Sequence, residues 1–94
     1  MEKLLDLTVI TPLGSYPGKL RLFIDGENLS GILSVLGHDH HFQGGVIKNG
    51  KISLSMNVNT PLGMVSMSAA GTLSGEKLDA MANTRLGIFK LKSN

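Results

Sequence analysis

The chain has 94 residues, of which 41% are hydrophobic and 17% charged, and this predicts one folded domain, residues 1–94, rather than a disordered chain. It contains no cysteine, which excludes disulfides, thiolate metal sites and cysteine nucleophiles. The formal net charge is +2, but the basic residues are scattered, and we expect no nucleic-acid partner because such partners need clustered basic residues with aromatic ones.

The sequence also lacks membrane signals. No apolar run approaches the ~18 residues that a membrane helix needs. Glu2, Lys3 and Asp6 interrupt any signal-peptide core near the first residue. We therefore expect a cytoplasmic protein without a membrane partner.

Eight short segments follow one another along the chain, and most of them alternate apolar and polar residues as strands do. The predicted strands cover residues 3–11, 19–25, 29–36, 40–47, 52–59, 64–73, 77–84 and 88–92. Tyr16-Pro17-Gly18 is expected to be a loop. The third strand alternates poorly, which indicates cover on both faces, for example by another subunit. Gly44-Gly45 predicts a bulge or a sharp bend in the fourth strand.

Two families of turn signals alternate between these strands. The first has the pattern hydroxyl-x-Leu-Gly and occurs at Thr11–Gly14, Thr60–Gly63, Thr84–Gly87 and, as a looser copy, Ser34–Gly37. Proline presets the first corner of such a turn, glycine accepts positive φ, and the hydroxyl bonds locally to the backbone. The second family consists of Asp25–Asn28, Asn49-Gly50 and Ser74–Lys77, and Asn-Gly suits the type I′ hairpin turn. We expect the two families at opposite ends of a meander.

A shift of 49 residues superposes the two halves of the sequence. It places Thr11–Gly14 on Thr60–Gly63 and Gly26–Leu29 on Gly75–Leu78. The chain is therefore interpreted as two tandem four-strand halves, about 1–49 and 50–94. The predicted fold is all-β: an eight-stranded antiparallel up-and-down meander closed into a small barrel, with a flattened β-sandwich as the alternative.

The repeated Thr-Pro-Leu-Gly turns and the Asp25–Gly31 stretch resemble small bacterial β-meander proteins without an established function. The overall pattern also resembles the calycin-type barrels, the architecture of lipocalins, fatty-acid-binding proteins and avidins. The chain departs from both lipocalins and fatty-acid-binding proteins, because it has no tryptophan for a Gly-x-Trp motif and no helical lid segment. No binding residue is carried over from these families.

All three histidines lie in Gly37–Phe42, and histidine is the commonest metal ligand. His38, His40, His41 and Asp39 are the candidate ligands of a transition metal, with His38 and His40 on one side of a strand and Asp39 and His41 on the other. The alternative is a polar loop without a metal, in which case the protein has no cofactor.

A small hydrophobic or acidic ligand inside the barrel is a further hypothesis, since an eight-stranded barrel is either filled by side chains or holds one small ligand. Met56 and Met67 would line such a pocket, with Arg21 or Arg85 as an anchor at its rim. A filled core is the alternative.

The exposed strand faces carry more Ser, Thr and Asn than charged residues, and this favours a homodimer or another interaction protein. Enzyme activity is not expected, because the sequence has no Gly-x-Ser-x-Gly elbow and no phosphate-binding glycine pattern.

Overall fold

The computed structural model describes residues 1–94 and consists of eight antiparallel strands closed into one barrel. The strands are β1 (Glu2–Thr11), β2 (Gly14–Asp25), β3 (Asn28–Val35), β4 (His38–Lys48), β5 (Lys51–Thr60), β6 (Gly63–Ser74), β7 (Lys77–Thr84) and β8 (Gly87–Ser93). Each strand pairs with the next, and β8 pairs with β1, which confirms the up-and-down barrel. No helix is long and apolar enough to cross a membrane.

The alternation of apolar and polar residues in the sequence corresponds to the buried and exposed faces of the strands. In β5, Ile52, Leu54, Met56 and Val58 are buried, while Ser53, Ser55 and Asn57 between them are exposed. The same alternation in the other strands gives one cluster of 21 buried apolar residues that fills the interior. Because successive strand residues point to opposite faces, two-residue periodicity alone assigns each side chain to core or surface.

Three of the predicted turns share one hydrogen-bond pattern. Thr11 Oγ1 accepts the Leu13 N–H at 3.0 Å and donates to Gly14 O at 2.9 Å. The same pair of bonds occurs at Thr60 and at Thr84. The predicted local bonding of the hydroxyl is therefore confirmed, and it also holds the Thr84 turn, which has no proline.

The turn at Ser34–Gly37 is different, and the prediction that it is a looser copy of the other three is wrong. Its two corner residues are Leu36 and Gly37, with φ of 58° and 76°, as in a type I′ turn. Ser34 lies inside the ladder opposite Asp39 and donates to Asp39 Oδ1 at 2.6 Å. Its hydroxyl is thus engaged across the strands rather than with the turn.

The predicted loop Tyr16-Pro17-Gly18 is part of β2, and Pro17 is paired with Thr8. That prediction is also wrong. The pairing of β2 with β3 begins only at Gly18, so one edge of β2 is free of a ladder at Pro17. A proline has no N–H to donate and is tolerated at such an edge.

The predicted irregularity at Gly44-Gly45 is confirmed as a bulge. The register of β3 and β4 shifts between Leu29 and Gly31, so that Ser30 faces two residues of β4. Gly44 has φ of 73°, a value that side-chain-bearing residues rarely adopt.

The outward residues of β3 are half-buried within the single chain. Ile32 lies in a shallow groove of about 520 Å³ together with Leu4 and Arg21 of the neighbouring strands. Cover of this face by another subunit stays a prediction.

Two of the eight ladders are short. The ladder between β4 and β5 has three residue pairs and that between β8 and β1 has four, whereas the other six have six to ten. We call the first of these junctions the β4/β5 seam. The short junctions separate β1–β4 from β5–β8, the same division that the sequence suggests; a tandem repeat stays a prediction.

Gly31→Ala tests how closely the strands approach at the core. A Cβ at Gly31 would fall on the carbonyl oxygen of Arg21 and lie 3.0 Å from the Phe42 ring. We expect a loss of about 2–3 kcal/mol in the free energy of unfolding, as for overpacked cores. Urea denaturation would measure it, with outward-facing Ser30→Ala as the control, within about 0.5 kcal/mol of wild type. Equal stability of the two variants would contradict the predicted clash.

Candidate functional site

The four residues of the histidine cluster point in two directions. His40 faces the interior and is only 5% exposed. Asp39 and His41 are exposed on the outer face, and His38 is exposed next to the turn. The predicted split of the cluster across the two faces of β4 is consistent with this placement, and the His38 and His40 rings lie 6.2 Å apart.

His40 is held by the backbone on both sides of its ring. Its Nε2 accepts the Asn59 N–H of β5 at 3.0 Å, and its Nδ1 lies 3.0 Å from the Leu33 carbonyl oxygen of β3. Because an N–H points at Nε2, that nitrogen carries the lone pair. The proton of the neutral ring is then on Nδ1, which donates to Leu33.

The imidazole of His40 bridges the β4/β5 seam where the ladder is absent. The last ladder pair on this side of the bulge is Val46 with Ser53, and Asn59 lies six residues further along β5. The ring supplies Asn59 with an acceptor, as a carbonyl would in a continuous ladder. Sequence reasoning missed this role, because it depends on where the ladder between β4 and β5 ends.

No group of three or more His, Asp or Glu side chains is placed to hold a metal ion. Both nitrogens of His40 are engaged with the backbone, so a metal at His40 would require one of these bonds to break. Metal binding by His38, Asp39 and His41 stays a prediction.

The four predicted ligand-binding residues lie in three separate places. Met56 and Met67 face each other across β5 and β6 within the core. Arg21 is on the outer face, where its Nε lies 3.2 Å from a Glu2 carboxylate oxygen. Arg85 is in the β7–β8 turn and donates to the Leu62 and Met64 carbonyls at 3.4 Å. The structure thus brings neither arginine to the methionines.

A small apolar cavity lies under the end of the barrel that carries the Thr-Pro-Leu-Gly turns. Its volume is about 20 Å³, and Leu13, Tyr16, Pro61 and Phe89 are among its lining residues. That is room for about one water molecule. A ligand inside the barrel stays a prediction, and it would require side chains to move.

The outside of this same end presents apolar side chains to solvent. Leu13, Leu62, Met64 and Ile88 are each about half exposed, and we call these four residues the apolar end. Their turns touch: Pro12 Cγ lies 3.0 Å from a Cβ built on Gly87, and Arg85 reaches the carbonyls of Leu62 and Met64. Sequence reasoning missed this surface, although the leucine repeated in each turn was its signal.

Few charges lie near the apolar end. Residues 52–75, which include Leu62 and Met64, contain no ionisable side chain. Arg85 is the charged residue within this group of turns, and its guanidinium is engaged with main-chain carbonyls. The surface is therefore suited to apolar contact rather than to pairing of opposite charges.

No family model, curated protein or solved structure was found to match the chain. The functional interpretation therefore depends on the geometry of this molecule.

His40→Phe tests the bridge across the β4/β5 seam. Phenylalanine has a similar ring but neither a donor nor an acceptor, so the part-buried Asn59 N–H and the Leu33 carbonyl each lose a partner. We expect a loss of about 2–3 kcal/mol in the free energy of unfolding, measured by urea denaturation. His41→Phe places the same ring one residue away on the exposed face and should cost less than about 0.5 kcal/mol. Similar losses in both variants would contradict the bridge.

Proposed function

We propose that this protein is a filled-core β-barrel that acts through its surface, as an interaction module that self-associates at the apolar end. The observation that carries the proposal is the exposure of Leu13, Leu62, Met64 and Ile88 together on one end. Exposed apolar side chains that are contiguous rather than scattered are typical of interaction sites.

The packed interior supports a surface function. The core cluster of 21 residues occupies the space between the strands, and the apolar cavity beneath the turns holds about 20 Å³. A small-molecule pocket normally offers several hundred Å³. Contacts made from outside the barrel require no rearrangement of this core.

A second copy of the chain is the partner that fits the apolar end best. In a two-fold dimer the same patch meets itself, so a surface of leucine, methionine and isoleucine is its own complement. An acidic partner would find few cations: Arg85 already donates to two carbonyls, and Lys90 is the next exposed cation along β8. The homodimer is thus favoured by the scarcity of charge at this end.

The contact area available at the apolar end limits the affinity of the proposed dimer. The molecule measures 24 by 20 Å across its two shorter axes, which corresponds to about 400 Å² per partner. Stable complexes bury about 800 Å² per partner. The proposed dimer is therefore weak, with a dissociation constant on the order of 0.1–1 mM by comparison with other small interfaces.

The remaining interpretations are proposals of the same kind. The resemblance to calycin-type barrels, the bacterial source and the cytoplasmic location rest on the sequence alone. So do the metal site in the histidine cluster and the internal ligand, and no contact in the structure favours either of them over self-association.

Leu62→Glu tests the apolar end, because two carboxylates would be brought into an apolar contact. We expect wild-type protein to show reversible dimerisation in sedimentation equilibrium at 0.1–2 mM, and Leu62→Glu to weaken it at least tenfold, since buried unpaired charges are costly. Met81→Glu is the matched control: Met81 is 49% exposed and Leu62 55%, but Met81 lies on the outer face of β7.

A wild-type protein that stays monomeric at 2 mM would overturn the proposed function. Equal weakening by both glutamates would place the contact elsewhere on the surface.

A further inference from the structure

The apolar end includes one side chain whose polarity oxidation can change. The chain has five methionines and no cysteine. Met56 and Met67 are buried in the core, whereas Met64, near the start of β6, is 56% exposed. A thioether is oxidised to a polar sulfoxide when an oxidant reaches its sulfur. Met64 is therefore accessible to a reagent in solvent, and the two core methionines are not.

Met1 and Met81 are the other exposed methionines, and neither belongs to the apolar end. Met81 lies on the outer face of β7, next to Lys90 of β8. Met1 exchanges two hydrogen bonds with the backbone of Ile24, near the opposite end of the barrel. Met64 is thus the methionine that combines exposure with a place in the proposed contact.

Apolar contact alone does not require a sulfur atom at this position. Ile88 occupies the equivalent position after another turn: each of the two residues directly follows the turn glycine and pairs with an asparagine, Met64 with Asn59 and Ile88 with Asn83. The two side chains are exposed to similar extents, 56% and 52%. Isoleucine therefore supplies apolar area in the same setting, and what methionine adds is a flexible side chain with an oxidisable thioether.

We propose that Met64 is an oxidative modification site that controls self-association at the apolar end, with hydrogen peroxide as the oxidant. The sulfur lone pair bonds to one peroxide oxygen and the O–O bond breaks. The departing hydroxide takes the proton of the transferred oxygen and leaves as water. The thioether is oxidised by two electrons to a sulfoxide, and the peroxide is reduced to water. This inference rests on the self-association proposed above.

The sulfoxide opposes association because its oxygen is a strong hydrogen-bond acceptor that the contact cannot satisfy. In the free monomer this oxygen is hydrated, whereas in the dimer it meets leucine and isoleucine side chains, which donate nothing. Arg85 already donates to two carbonyls. The turn hydroxyls likewise donate to glycine carbonyls, at Thr11, Thr60 and Thr84. Burial of a polar group without a partner is unfavourable, and a two-fold dimer would bury two of them.

The monomer is the form that reacts. The proposed dimer covers the Met64 side chain and keeps peroxide from its sulfur. Because the dimer is weak, the chain is mostly monomeric at micromolar concentration, and Met64 is then open to oxidation. Oxidation therefore holds the chain in the monomeric state until the sulfoxide is reduced again, which methionine sulfoxide reductases do.

The first test is mild peroxide treatment of the wild-type protein, with the modified residues identified by peptide mass spectrometry and self-association measured by sedimentation equilibrium. We expect one added oxygen at Met64, none at Met56 or Met67, and dimerisation weakened by about tenfold or more. Treatment with methionine sulfoxide reductases should restore dimerisation. Dimerisation that survives oxidation of Met64, or a loss that reduction does not reverse, would overturn the inference.

Two variants separate Met64 from the other exposed methionines, and each protein is compared with itself before and after peroxide. Met64→Leu keeps an apolar side chain without a sulfur, so we expect its dissociation constant to change less than twofold. Met81→Leu should weaken as wild type does. A Met64→Leu protein that loses dimerisation on oxidation as wild type does would show that another methionine is responsible and would contradict the proposal.

The rate of oxidation gives an independent measurement. At 2 mM protein, with peroxide in excess, we expect Met64 of the wild type to oxidise about twofold or more slowly than at 20 μM, because dimers cover it. Met81 of the same molecules should oxidise at the same rate at both concentrations. Equal rates at Met64 would overturn the inference.

Failure of this inference is distinguishable from failure of the proposed function. Unoxidised wild-type protein that stays monomeric at 2 mM overturns the proposed self-association, and this inference with it. A dimer that forms before oxidation and persists after it overturns the inference alone.

Discussion

Closure of the sheet on itself is the constraint on which the rest of the molecule depends. Eight ladders must join around one axis, and an unclosed sheet of this length would leave edges that invite aggregation. Most of the closure is provided by hairpins, whose strands are adjacent in sequence. The two short junctions, at β4/β5 and β8/β1, need additional bonds, and each is supported by groups outside the regular ladder.

The supporting groups differ between the two junctions. At β4/β5 a buried imidazole joins the strands, between Leu33 O and Asn59 N. At β8/β1 the bonds of Asn94 serve this purpose: Asn94 N donates to Asp6 O, and Thr8 Oγ1 donates to Asn94 Oδ1. Lys3 Nζ of β1 also donates to Gly75 O in the β6–β7 turn, 2.7 Å away.

The small radius of an eight-stranded barrel also limits where recognition takes place. Its interior is just wide enough for side chains, and here Leu, Val, Met and a few aromatic rings fill it. Recognition as proposed then depends on the outside of the barrel. The apolar end offers a contact area of apolar side chains rather than directed hydrogen bonds.

Local sequence determined most of the architecture. Two-residue alternation assigned the core, and turn chemistry placed the reversals, because both act within a few residues: the hydroxyl of Thr11 bonds two and three residues away. The errors arose where local signals were ambiguous. Ser34 has the turn motif but bonds across the ladder to Asp39, and Pro17 is accommodated in β2 because β3 does not pair with it there.

Only the tertiary structure decided what the histidines and the turn leucines do. Strand alternation predicted that the histidine cluster divides between two faces, but only the closure of the barrel gives His40 a partner 19 residues away. Closure of the barrel likewise brings Leu13, Leu62 and Ile88, which are far apart in the sequence, to one end of the molecule. Alternation and turn propensity are short-range, so neighbouring residues in the sequence predict them. Contacts between residues far apart in the sequence depend on how all eight strands are arranged in the closed barrel.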